Sequence, residues 1–136
     1  YRGVHDAEKM AVRLKEKNNV PEIIITSTAN RALTTARIFS RIMGVEDHMI
    51  YLTEELYLAS VETILDVIYS VEDEVESVMI FGHNPGFTGL ANELSNLNID
   101  NIPTSGLVKL DFSVNKWTEI SKQHIASEFF DYPKKA

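Results

Sequence analysis

The apolar run Val78-Met79-Ile80-Phe81 stops at Gly82-His83-Asn84-Pro85-Gly86. A short, continuous apolar run bounded by turn formers reads as a buried strand. From Gly86 the period changes, and Phe87, Leu90, Ala91 and Leu94 fall on one helical face. A strand that feeds a helix through a tight turn is the repeating unit of an α/β sheet. In an open sheet such turns lie at the carboxyl ends of the strands, where ligands bind. His83 and Asn84 sit in this turn. Gly82 and Gly86 permit close backbone approach, and Pro85 suits the first helical position.

The rest of the chain repeats the alternation. Ala7, Met10, Ala11 and Leu14 mark a first helix, ended by "KNNVP". Ile23-Ile24-Ile25 is a short β-branched strand, and polar "TSTAN" is a turn. A second helix turns Ala32, Ala36, Phe39 and Met43 inward and ends at Gly44. Met49 to Leu52 reads as a short strand and "TEELYLAS" as a loop, with Ser60 as N-cap of a third helix carrying Val61, Ile64, Leu65 and Ile68. Leu107 to Ser113 alternates as a half-buried strand does. Asn115-Lys116 then reads as a hairpin tip, with Trp117 to Ile120 as the returning strand and "SEFFDYPKKA" as an aromatic, then basic, tail. The class is α/β, with a mainly parallel sheet and an antiparallel hairpin near its edge. The first helix has no strand before it.

The 136 residues fit one domain, residues 1–136, without repeats or low-complexity linkers. A formal net charge of −7 argues against a nucleic-acid surface, though a few local cations can still hold a small anion. The apolar runs are too short to span a membrane, so no membrane partner is expected. The chain has no cysteine, which rules out disulfides and fits a cytoplasmic setting. His5, His48, His83 and His124 are scattered without ligand spacing, so no metal and no cofactor is expected. GxSxG is absent, which speaks against a serine hydrolase at Ser27.

A second strand end carries chemistry. After Ile23 to Ile25 and Thr26-Ser27-Thr28, a helix starts near Ala29 or Asn30 and places Arg31 in its first turn. The helix dipole disfavours a cation there by up to about 1 kcal/mol. A bound anion reverses this, because helix N–H groups and a guanidinium then share one ligand. Taken alone, Arg31 reads more simply as a surface residue, or as one paired with a carboxylate of "TEEL". His83 reads equally as an anion donor, an acid or base, or a structural histidine. Together, on neighbouring strands, Arg31 and His83 would form a phosphate site. Glu54 and Glu55 offer a general acid, or merely an acidic surface loop.

The stretches "RGVHDAEKMAVRL", "IITSTANRALTTA", "LTEELYLAS", "IFGHNPGFTGLANEL" and "IPTSGLVKLDF" resemble, in order, the histidine phosphatase (phosphoglycerate-mutase-like) superfamily. Within it the chain is most similar to the small phosphohistidine phosphatases of the SixA type. The pairing of S-x-x-x-R-A with a later G-H-N-P-G is the specific part. The resemblance implies a three-layer αβα sandwich. It also implies a phosphatase acting on a phosphomonoester or phosphohistidine through a covalent phosphohistidine. Its substrate would be a phosphorylated small molecule or a phosphohistidine-bearing protein. Arg31 would be the family's second phosphate arginine and His83 its second histidine. Glu55 would match the acidic position loosely, Asn84 would line the pocket with the phosphate, and Ser27 would orient the turn before Arg31.

One departure stands out. The family's nucleophile lies in an N-terminal "RHG" or "RHA" motif, and no Arg-His pair occurs in this sequence. The 136 residues are therefore expected to be most of a domain whose first strand lies outside them, and not to catalyse alone by the family route. A non-catalytic phosphate-binding or interaction module on the same fold is the alternative. A sugar-phosphate mutase fits less well, since substrate-closing insertions are absent.

Overall fold

The computed structural model describes residues 2–135. Helices α1 (Arg2–Glu16), α2 (Asn30–Met43), α3 (Val61–Tyr69) and α4 (Gly86–Leu94) alternate with strands β1 (Ile23–Ser27), β2 (Ile50–Thr53) and β3 (Val78–Phe81). Strands β4 (Leu107–Phe112) and β5 (Ile125–Asp131) follow. The first three strands form a parallel sheet in the order β2-β1-β3. Ile24 lies opposite both Ile50 and Met79, and Thr26 opposite Phe81. All three carboxyl ends therefore open on the same side. β4 and β5 pair antiparallel as a separate ribbon.

The side-chain alternation of a strand explains the layers. Ile24 of β1 enters one core with Met10 and Leu14 of α1 and with Ala36, Phe39 and Met43 of α2. Ile25 enters the other, with Ile64 and Ile68 of α3 and Leu90 and Leu94 of α4. β3 divides the same way: Met79 and Phe81 face the first core, Val78 and Ile80 the second. So does the ribbon, which sends Leu107 and Phe129 to the first core, and Leu110 and Phe112 to the second. Sheet and ribbon thus serve the same two apolar layers without pairing to each other. Among the described residues, β3 and β4 each have one edge with no strand beside it. Val78, Met79 and Ile80 are accordingly only half-buried, although a parallel strand covered on both faces is ordinarily fully buried.

Helix ends follow local chemistry. Gly44 closes α2 in the left-handed conformation, φ 78°, with its N–H on the Ser40 carbonyl. Ser60 Oγ accepts the Thr63 N–H at the start of α3. Pro85 departs from expectation by one place: it precedes the first helical residue, Gly86.

The return of the hairpin lies further along than its sequence suggests. Trp117–Glu119 is a 3-10 turn, and the returning strand is Ile125–Asp131, within the aromatic tail. Trp117 is held back instead. Its indole N–H donates to the Val75 carbonyl (2.9 Å) and its backbone N–H to Asp73 Oδ1 (3.1 Å). The tail is also clamped to α1. Arg13 Nη1 pairs with Asp131 (3.0 Å) and donates to the Tyr132 carbonyl (3.0 Å), and Lys9 Nζ donates to the Pro133 carbonyl (2.7 Å).

The ribbon carries a pH-dependent element. Partial burial pushes the Asp111 carboxyl up, but hydrogen bonds from Lys109 (2.6 Å) and Ser127 (2.5 Å) outweigh it and hold the group below its usual 3.8. A carboxyl depressed by folding contributes stability above its unfolded pKa and loses it as pH falls through the folded value. Asp111→Asn should therefore lower the urea midpoint at neutral pH, and the gap to wild type should close in acid, as pH falls below the ordinary carboxyl range.

Candidate functional site

The pairing of β1 with β3 brings two turns together. β1 ends at Ser27, and β3 ends at Phe81, two residues before His83. Ser27 is fully buried; its Oγ accepts the Ala29 N–H (3.2 Å) and lies 3.0 Å from His83 Nε2. The edge of the Tyr57 ring meets the half-buried His83 ring, centroids 5.3 Å apart at 80°. Among the described residues His83 Nδ1 has no hydrogen-bond partner.

Arg31 occupies the first turn of α2, exposed, with no ion pair among the described residues, to "TEEL" or elsewhere. No side chain caps α2, and no acidic residue lies in its first turn. A helix N-terminus carrying an unbalanced cation is suited to an anion. α4 is different, because its first turn is already closed by Asn84. Asn84 Oδ1 accepts from the Thr88 N–H (3.2 Å) and hydroxyl (2.8 Å), and Nδ2 donates to the Ile102 carbonyl (2.8 Å) and to Asn101 Oδ1 (3.3 Å). Thr88 Oγ1 in turn accepts the Ile102 N–H (3.0 Å). Asn84 thus ties the loop before β4 to α4. Its amide is engaged within the protein, where the sequence suggested a phosphate contact.

Residues 54–56 form a 3-10 turn capped by Thr53, whose Oγ1 accepts the Glu55 N–H. Glu55 is exposed, with its carboxylate 3.5 Å from that hydroxyl. Glu54, with Tyr57, Thr28 and Ala29, lines a cleft of about 460 Å³ beside the end of β1. Tyr57 is the site residue that the sequence did not single out. The available signal was Leu56: a fully buried Leu56 directs its neighbour Tyr57 outward. Leu58, at φ 47°, completes the bend in the left-handed region that non-glycine residues seldom occupy.

The turns depend on close packing. A Cβ on Gly86 would lie 2.2 Å from the Ala59 carbonyl oxygen, and one on Gly82 2.4 Å from the Phe87 ring. α4 can approach the loop before α3 only without a side chain at Gly86.

Comparison with known proteins follows the same lines. No family model matches the chain. An uncharacterized protein of Mycobacterium leprae (strain TN) is 29% identical over 144 residues, covering 98% of this chain and 84% of that protein. The crystal structure of a candidate phosphohistidine phosphatase SixA from Agrobacterium tumefaciens is 32% identical, with a TM-score of 0.71, covering 82% of this chain and 75% of that one. The protein histidine phosphatase SixA complexed with tungstate superimposes with a TM-score of 0.78 at 18% identity, over 98% of this chain and 82% of that one, a likeness of fold. The fold is that of the phosphoglycerate-mutase-like histidine phosphatases. Within that class, the chain belongs to the SixA family. Among the described residues no helix is long and apolar enough to cross a membrane.

Proposed function

We propose that this chain holds the phosphoryl group in a phosphohistidine phosphatase that works through a covalent phosphohistidine. The observation that carries the proposal is the pairing of β1 with β3, strands followed by Arg31, a cation with no ion pair among the described residues at an uncapped helix end, and by His83, held by Ser27. Arg31 and the first N–H groups of α2 bind the phosphoryl oxygens, and His83 donates to another. The nucleophilic histidine comes from a strand set between the open edges of β3 and β4. It attacks phosphorus as the bond to the substrate nitrogen breaks, and water then cleaves the phosphoenzyme to release phosphate. The transition state is loose, so positioning and charge neutralisation dominate. An imidazole that leaves already protonated needs little acid. For a phosphomonoester, a protonated carboxyl group of the 54–56 turn would supply the proton, Glu55 by motif or Glu54 by its place on the cleft.

The surroundings favour a protein as carrier of the phosphohistidine. Of the large apolar side chains exposed among the described residues, Met49, Tyr51, Leu52, Tyr57 and Leu58 all lie on β2 or the segments flanking it, and Tyr57 lines the cleft. Exposed apolar residues clustered in this way suit a macromolecular contact.

The experiment compares the 136-residue chain with a polypeptide extended upstream by a strand bearing an Arg-His pair, using a phosphohistidine-bearing protein as substrate. Only the extended form should release phosphate. His83→Ala in that form should slow turnover by about 100- to 1000-fold, as loss of a transition-state donor does. Release by the 136-residue chain alone would contradict the placing of the nucleophile. An extended form that binds phosphate without turnover would make the protein a phosphate-binding module.

A further inference from the structure

We infer that Ser27 is a positioning residue that sets the tautomer of His83, leaving Nδ1–H as the donor offered to a ligand. A count of donors and acceptors leads there. A serine hydroxyl has one proton and two lone pairs. Ser27 Oγ already accepts the Ala29 N–H, and Ser27 is fully buried, away from water. Its other partner among the described residues is His83 Nε2, at 3.0 Å. If neutral His83 carried its proton on Nε2, Oγ would accept it with its second lone pair, and the hydroxyl proton would be left buried with no acceptor among the described residues. An unmade hydrogen bond on a buried donor leaves its full desolvation penalty uncompensated. With the proton on Nδ1, both sides of the Ser27–His83 contact are satisfied. Ser27 Oγ accepts from Ala29 and donates to Nε2, while Nδ1–H faces no protein acceptor among the described residues. Ala29 is also the residue before α2, so a single hydroxyl fixes the start of the arginine helix and the orientation of the histidine.

The value of this arrangement for phosphoryl binding rests on the function proposed above; the tautomer itself does not. The direct test is a long-range proton–nitrogen NMR spectrum of the imidazoles of the folded chain. Neutral His83 should carry its proton on Nδ1. Ser27→Ala, which removes the acceptor-donor relay with little change of size, should shift the ring toward the Nε2–H form by about tenfold or more, the weight of one buried hydrogen bond. Ser27→Cys keeps the size and a weaker donor, and should fall between the two; it also serves if Ser27→Ala fails to fold. An Nε2–H form in the wild type, or a ratio unmoved in the folded variants, would overturn the inference. Inorganic phosphate separates the two ideas. If the tautomer behaves as expected and phosphate at high concentration leaves the His83 nitrogens unmoved, Ser27 positions the ring and the phosphoryl role of the site fails.

Discussion

Replacing Arg31 with alanine should weaken tungstate binding by about 10- to 100-fold without lowering stability. A hydrogen bond to a charged group is worth about 1.5–3 kcal/mol, and Arg31 would offer one or two to a bound oxyanion. In the free protein its guanidinium has no ion pair among the described residues, so folding has little to lose. A cation at the start of a helix opposes the dipole, and its removal should raise the unfolding temperature slightly, by the equivalent of a few tenths of a kcal/mol. Arg31→Lys keeps the charge but not the planar fork and should fall between. Tungstate affinity measured by calorimetry in parallel with thermal unfolding checks both halves. Equal affinity in wild type and Arg31→Ala would remove Arg31 from the site.

The largest effect on stability should come from Gly86→Ala, a loss of about 3 kcal/mol or more. An added methyl would meet the Ala59 carbonyl oxygen at 2.2 Å, and this neighbour is backbone. Overpacking of a rigid site costs about 1–3 kcal/mol, and sometimes more. Relief requires α4 to move away from α3, opening the core that Ile64 and Leu90 share. Gly89→Ala in the same helix is the control. Its methyl would touch only Val61 Cγ2, at 3.0 Å, and alanine is the better helix former. Urea midpoints should therefore separate the two variants clearly. Because Gly86 follows the His83 turn, Gly86→Ala should also disturb the imidazole resonances of His83, whereas Gly89→Ala should not.

Local features were legible in the sequence because their causes are local. The run Val78 to Phe81, the helical face of Leu90, Ala91 and Leu94, the Ser60 cap and the Gly44 stop all depend on a few adjacent residues, and all stand in the structure. What sets the Arg31 and His83 turns on neighbouring strands is different. It depends on the register of β1 against β3, strands that begin at Ile23 and Val78. The pair can be suspected from the residues, but only the sheet makes the strands neighbours. The loop-tying bonds of Asn84 were not legible because its partner Ile102 lies across a loop, and nothing local says where a side-chain amide will bond. The strand expected at Trp117 failed similarly. The segment has strand-like composition, but Asp73 and Val75, distant in sequence, hold Trp117 against the end of α3 and delay the return to Ile125.

The most direct measurement is a tungstate titration of the folded chain, followed by nitrogen NMR of the His83 imidazole and the Arg31 guanidinium. If a phosphoryl group is held between them, both sets of resonances move together along one binding curve, His83 most strongly at Nδ1, and Arg31→Ala abolishes the His83 response over the same range. If tungstate leaves both groups unmoved, or moves other residues while these two stay still, the phosphoryl site is not where the ends of β1 and β3 meet.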